Sequence, residues 1–156
     1  MKTTEWDDWA PHFAPEEFLS PEGRILFHRN IIPFDPVVLN ALEIFRILLN
    51  HNRMEGFIPM EEDKEITLVI NSNFLNGGNK NLRGFVTPYE WYAQRTKKPG
   101  QLYSYHLWCA ADVSSPEVNS EILFHYAKLT PFQGIIKYPW GVHLDMRKGD
   151  QYIKEL

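Results

Sequence analysis

The sequence predicts an α+β domain, a small, mainly antiparallel sheet with flanking helices. Three observations predict it. Apolar residues recur at helical spacing after two Pro-marked start signals, "FDPVV" and "SSPEV", while "EITLVINSN" between them is a β-prone run. The C-terminal part then carries "GIIKYPWGVHLDMR", two alternating runs around the breakers Pro139 and Gly141. At 156 residues the chain fits one domain spanning 1–156, long enough for a real core and short for two.

The elements follow in chain order. "APEEFLS" suits a short helical turn and "SPEGR" a turn or loop. In "FDPVVLNALEIFRILLNHN", Asp35 is the expected N-cap and Pro36 the first helical residue. Val38, Leu42, Phe45 and Leu49 then mark the buried face of a core helix over about 36–50.

The run at 65–73 reads as a strand covered on both faces, hence central. Residues 74–101, with "NGGNKN" and "KKPGQ", form a loop-rich excursion. A second helix is expected over about 116–128, with Ser115 before Pro116 and Val118, Ile122 and Tyr126 along one face. Strands are expected near 66–71, 109–113, 134–138 and 141–147, the last two joined by Tyr138-Pro139-Trp140-Gly141.

Composition narrows the function. Sixteen Lys and Arg against twenty Asp and Glu give a net charge of −4, and the only basic block is the short "RTKKPG". Nucleic acid is therefore disfavoured as a partner, because phosphate binding needs a concentrated cationic face. The single cysteine, Cys109, excludes an intrachain disulfide and a multi-cysteine zinc site, so a metal would be held mainly by His and carboxylate. No apolar run approaches a membrane span, and the acidic, aromatic N-terminus lacks the pattern of a secretory signal. A soluble protein that is not exported by the usual route is expected.

The chemistry-bearing residues lie in "YSYHLWCAADV" and in the last strand. Alternation there puts Val142, Leu144 and Met146 on one face and His143, Asp145 and Arg147 on the other. A carboxylate at Asp112, among small alanines, needs a cation or donor if it is buried. Two histidines and one carboxylate from separate segments match the protein shell of a catalytic zinc. Spacing alone favours the plainer alternative, a core His and Asp paired by hydrogen bonds. His125 reads as a packed or surface residue and Cys109 as a small core residue.

"SYHLWCAADV" followed by "GIIKYPWGVHLDMR" resembles the paired signature of the D-alanyl-D-alanine carboxypeptidase zinc metallopeptidases, the DD-peptidase and Hedgehog-like superfamily. "HFAPEEFLSPEGR" resembles that family's N-terminal segment, and the likeness covers most of the chain except 74–101. The resemblance implies a DD-peptidase-like fold with His106, Asp112 and His143 as Zn2+ ligands. Asp145, on the same strand face as His143, is the candidate catalytic carboxylate, with a structural acceptor as its alternative role; Ser104, Trp140 and Arg147 are expected toward substrate, with Arg83 or Arg95 of the excursion supplying an arginine there. The substrates implied are peptidoglycan peptides ending in or containing D-Ala. Without an export signal, such an enzyme would be cytoplasmic, virion-associated or released on lysis.

Three departures stand beside the likeness. "LWCAA" between His106 and Asp112 is one residue shorter than usual and lacks the family's glycine, and Ser72-Asn73-Phe74-Leu75 replaces a segment that normally carries arginine. Trp140 stands where many members have an acidic base. They support an alternative, a catalytically degenerate module of the same fold, zinc-binding or metal-free, for example in a phage particle.

Overall fold

The structure, a computed structural model, describes residues 5–19, 24–25, 28–29, 36–60, 63–71 and 110–156. The "SPEGR" turn falls mostly outside these residues. So do the excursion at 74–101, Cys109, His106, Ser104 and Arg83.

Two short N-terminal helices open the described chain, α1 (Glu5–Trp9) and α2 (Pro15–Phe18). Proline at the start of α2 costs no hydrogen bond, and Glu17 reaches back to the Ala14 N–H. Trp6, Phe13 and Phe18 pack at centroid separations of 5.7 Å, with the Trp6 indole donating to the Phe13 carbonyl at 2.8 Å. This apolar knot tethers the N-terminal segment to the core; each buried aromatic is worth roughly 1.5–3 kcal/mol.

The long helix α3 (Val37–Met54) buries Val38, Leu42, Phe45 and Leu49, as their spacing predicts. It runs four residues past the expected end. Carbonyls of the last turn accept from Glu55, Gly56 and Phe57 N–H groups, and Gly56 has φ +81°, the left-handed conformation that ends helices most cheaply in glycine. Glu43, buried on the same helix, accepts from the His12 backbone at 2.7 Å and lies 2.9 Å from its ring.

Asn50 clips α3 to the segment before β1 (Val69–Ile70). Its amide donates to the Arg46 and Ile66 carbonyls at 3.0 Å, and its oxygen accepts from the Ile66 N–H at 2.8 Å. Ile66, Leu68 and Ile70 are buried while Thr67 and Val69 are exposed, so one face alone packs. The expected central position is corrected: among the described strands β1 lies at the sheet edge.

The remaining elements are β2 (Ala110–Ser114), α4 (Ser120–Ala127), β3 (Gly134–Tyr138), β4 (Gly141–Asp145) and β5 (Tyr152–Glu155), in the sheet order β1-β2-β4-β3-β5. All pairings are antiparallel except β3 with β5. This is the expected α+β class.

The second helix starts later than Pro116. Ser115 Oγ instead accepts from the Glu117 N–H at 3.2 Å, closing a turn, and Asn119 caps α4 by accepting from the Ile122 N–H at 3.0 Å. Its buried side chains are Leu123, Phe124 and Ala127, with Ile122 and Tyr126 only partly covered. The face inferred from Val118, Ile122 and Tyr126 is therefore displaced around the helix.

Strand β5 is absent from the sequence expectation because its side chains are exposed and carry no amphipathic signal. Its backbone and the Lys137–Glu155 pair at 3.6 Å attach it to β3.

Ile70, Ala111, Val113, Val142, Leu144 and Ile135 form the sheet's contribution to the core, beneath α3 and α4. Phe45 meets Phe132 edge to face at 6.4 Å within it. The opposite face of β2 and β4 is free to hold polar groups. Among the described residues no helix is long and apolar enough to cross a membrane.

Candidate metal centre

Registry builds the site. In the antiparallel β2–β4 pair, Asp112 stands opposite His143 and Ala110 opposite Asp145. Side chains directly opposite on one face are close enough to bond, so two residues 31 apart in sequence meet: His143 Nδ1 lies 3.0 Å from Asp112 Oδ1. Two residues along β4, on the same face, Asp145 Oδ2 lies 2.9 Å from His143 Nε2.

Arg147 closes the far side. Its backbone N–H and Nε donate to Asp145 Oδ1 at 3.0 and 2.8 Å, and Nη2 donates to Oδ2 at 2.5 Å. The guanidinium also lies over the Tyr152 ring at 4.6 Å, anchoring it against β5. The row expected from alternation is thus an ordered chain, Asp112–His143–Asp145–Arg147, and it is buried rather than solvated: Asp145 is fully buried, with Asp112 and His143 each 8% exposed.

A small residue makes the burial possible. Gly134 of β3 stands opposite Asp145, and a Cβ at that position would overlap the carboxylate. The sequence marks Gly134 only as the start of a strand. Its use becomes legible once the β3–β4 register is known.

Electrostatics follow from these contacts. Burial disfavours the His143 cation, but the hydrogen bonds to Asp112 and Asp145 and their charges outweigh it, and the pKa rises to about 9. Each ring nitrogen faces an acceptor-only carboxylate, so in the metal-free protein His143 is an imidazolium at neutral pH. Burial likewise opposes the Asp145 charge, yet Arg147 and His143 together hold its carboxyl well below the usual carboxylate range.

That has a consequence for Asp145, expected as the catalytic base. Its oxygens are engaged by Arg147 and His143, and a carboxylate so stabilised is a weak proton acceptor. The geometry suits orientation of the His143 ring. Arg147, expected toward substrate, is engaged with Asp145. Trp140 sits in the β3–β4 hairpin, 40% exposed, with its ring stacked on Tyr138 at 5.1 Å. Arg83 and Ser104 lie outside the described residues.

No family model, curated protein or solved structure matches this chain.

Of the three expected zinc ligands, Asp112 and His143 are brought together, while His106 lies outside the described residues. Among the described residues no three such side chains form a metal-binding group. The donor types, imidazole and carboxylate, are ones that zinc takes, and their 3.0 Å separation, here a hydrogen bond, is near the roughly 3.3 Å edge of a tetrahedral shell with bonds of about 2.0 Å. The second ring nitrogen already has the carboxylate that histidine ligands commonly use to fix their orientation. A groove of about 350 Å³ lined by Phe57, Ile58, Pro59, Ile122 and Tyr126 lies on the helical side of the sheet, away from this pair. His125, exposed on α4, borders that groove rather than the site.

Proposed function

We propose that this chain is a zinc-dependent peptidase of the D-alanyl-D-alanine carboxypeptidase or endopeptidase type, acting on peptidoglycan peptides. The observation that carries the reading is the cross-strand placement of Asp112 against His143, with the Nε2 side of the ring backed by Asp145 and Arg147. The resemblance in sequence supplies His106 as the third ligand and the substrate class.

In this reading Asp112 and His143 would hold the ion, in place of the hydrogen bond that now joins them. Asp145 accepts the Nε2 proton and fixes the ring, and Arg147 keeps Asp145 ionised and in place. Zinc held there would acidify a water and polarise the scissile carbonyl. Asp145 is then a positioning residue.

A second reading has its own observation. Asp145 is committed to Arg147 and His143, so the residue expected as base is diverted from that task, which favours a degenerate domain that keeps the fold as a binding or structural module.

The experiment is metal analysis of protein purified without added zinc, followed by incubation with peptidoglycan or D-Ala-terminated peptides and mass spectrometry of the products. The peptidase reading expects about one zinc per chain, lost in His143→Ala, and chelator-sensitive release of D-Ala or cleaved cross-links. Bound zinc without product across several wall chemistries leaves the degenerate module. Absence of stoichiometric zinc overturns the metal assignment.

A further inference from the structure

Helix α3 carries a second patterned face. Of its eighteen residues, the six exposed ones are Val37, Asn40, Ile44, Ile47, His51 and Met54, opposite the core-facing Leu42 and Leu49. Their steps alternate three and four residues (from Val37 the first is three), which is the a/d spacing of a helix seam. A solvated helix face normally carries Lys, Glu, Arg or Asp, yet none of these stands on the stripe. Four of the six are apolar, and Val37, Ile44, Ile47 and Met54 are 49, 46, 59 and 69% exposed.

The stripe is also a palindrome in chemical type: apolar, polar, apolar, apolar, polar, apolar. If a second α3 lies antiparallel across it, with the two-fold axis passing between Phe45 and Arg46, Val37 meets the partner's Met54 and Ile44 meets the partner's Ile47. Asn40 meets the partner's His51, amide to imidazole. Antiparallel seams pair a with d positions in this way, and an isologous contact requires such self-complementarity. A parallel pairing would set Asn40 on Asn40 and His51 on His51, leaving the imidazoles to face each other.

We propose that the outward stripe of α3 is a self-association surface, on which two copies of this chain pair their α3 helices antiparallel. The charged side chains of α3 are all engaged away from the stripe: Glu43 is buried against His12, Arg46 is bonded to Glu65, and Arg53 to Asp63 at 2.6 Å. Eighteen residues give a seam of about 27 Å. A helix pair of that length is at or below the low end of stable interfaces, so the dimer is weak, half-formed at roughly tens to hundreds of micromolar.

Sedimentation equilibrium of the full chain from about 5 μM to 1 mM tests it. Wild type should move from monomer toward dimer mass. Ile44→Glu and Ile47→Lys should each weaken association at least about tenfold, because each places a charge in the seam opposite an apolar group. Both positions are exposed in the monomer, so circular dichroism should be unchanged.

The double variant Ile44→Glu/Ile47→Lys should recover the dimer. In the antiparallel register the introduced carboxylate faces the introduced ammonium twice, whereas a parallel register sets like charges together. A wild type that stays monomeric throughout, as it would if another segment or another protein covers the stripe, overturns the proposal. So does a dimer indifferent to Ile44→Glu, or a double variant no better than the singles.

Discussion

Raising the pH should unfasten the metal-free protein at His143. An ordinary histidine in the unfolded chain titrates near 6.5, whereas the folded protein holds this one at about 9, because Asp112 and Asp145 outweigh burial. Between those values the folded state keeps a proton that the unfolded state has released. The resulting stability is fully present below pH 6.5 and lost as pH rises through 9. At 1.36 kcal/mol per decade the effect is on the order of 3 kcal/mol, a large share of the roughly 5–15 kcal/mol typical of a domain.

The assay is urea denaturation of chelator-treated protein at intervals from pH 6 to 9.5. It is compared with His143→Gln, which removes the titration and keeps an amide donor. Wild type should lose about 3 kcal/mol relative to the variant's own pH profile across this range. Parallel profiles would refute the argument, since they would mean that His143 is not held as a cation between two carboxylates.

Four further outcomes follow from named contacts. Zinc binding at pH 7.5 should release about one proton from His143, read by calorimetry in buffers of different ionisation enthalpy; no buffer dependence would count against His143 as a ligand. Gly134→Ala should cost roughly 2–4 kcal/mol in denaturation experiments, because the added methyl overlaps the fully buried Asp145 carboxylate. A loss under about 0.5 kcal/mol would mean that the β3–β4 register is wrong. Asn50→Ala should cost about 2–3 kcal/mol by leaving the Ile66 N–H and carbonyl without their side-chain partner. Asn119→Ala should cost about 1 kcal/mol as a lost α4 cap, while Ser115→Ala, outside that helix, leaves α4 helicity unchanged by circular dichroism.

Much of this architecture is legible locally. Val38, Leu42, Phe45 and Leu49 repeat at helical spacing because one face of α3 must leave water, and all four are fully buried. Pro139 and Gly141 mark the β3–β4 turn, and the alternation after them separates Val142 and Leu144 from His143 and Asp145. Misreadings arise where local signals compete. Ser115-Pro116 has the form of a helix start, but the Ser115 hydroxyl satisfies the Glu117 N–H in a turn and Asn119 takes the cap. The β-prone run at 65–73 resembles a central strand, yet edge or centre depends on which strands join it.

The sequence by itself determined the α+β class, the core face of α3 and the polar row of β4, since helical and strand periodicities are properties of neighbouring residues. Only the tertiary structure decided that Asp112 stands opposite His143, that Arg147 ties down Asp145, and that Gly134 leaves room for it. A slip of one residue in β2 would turn Asp112 into the core, and nothing within β2 alone fixes that register. It is set by burial of Ala111 and Val113 against Leu144 and Val142, contacts between segments some thirty residues apart.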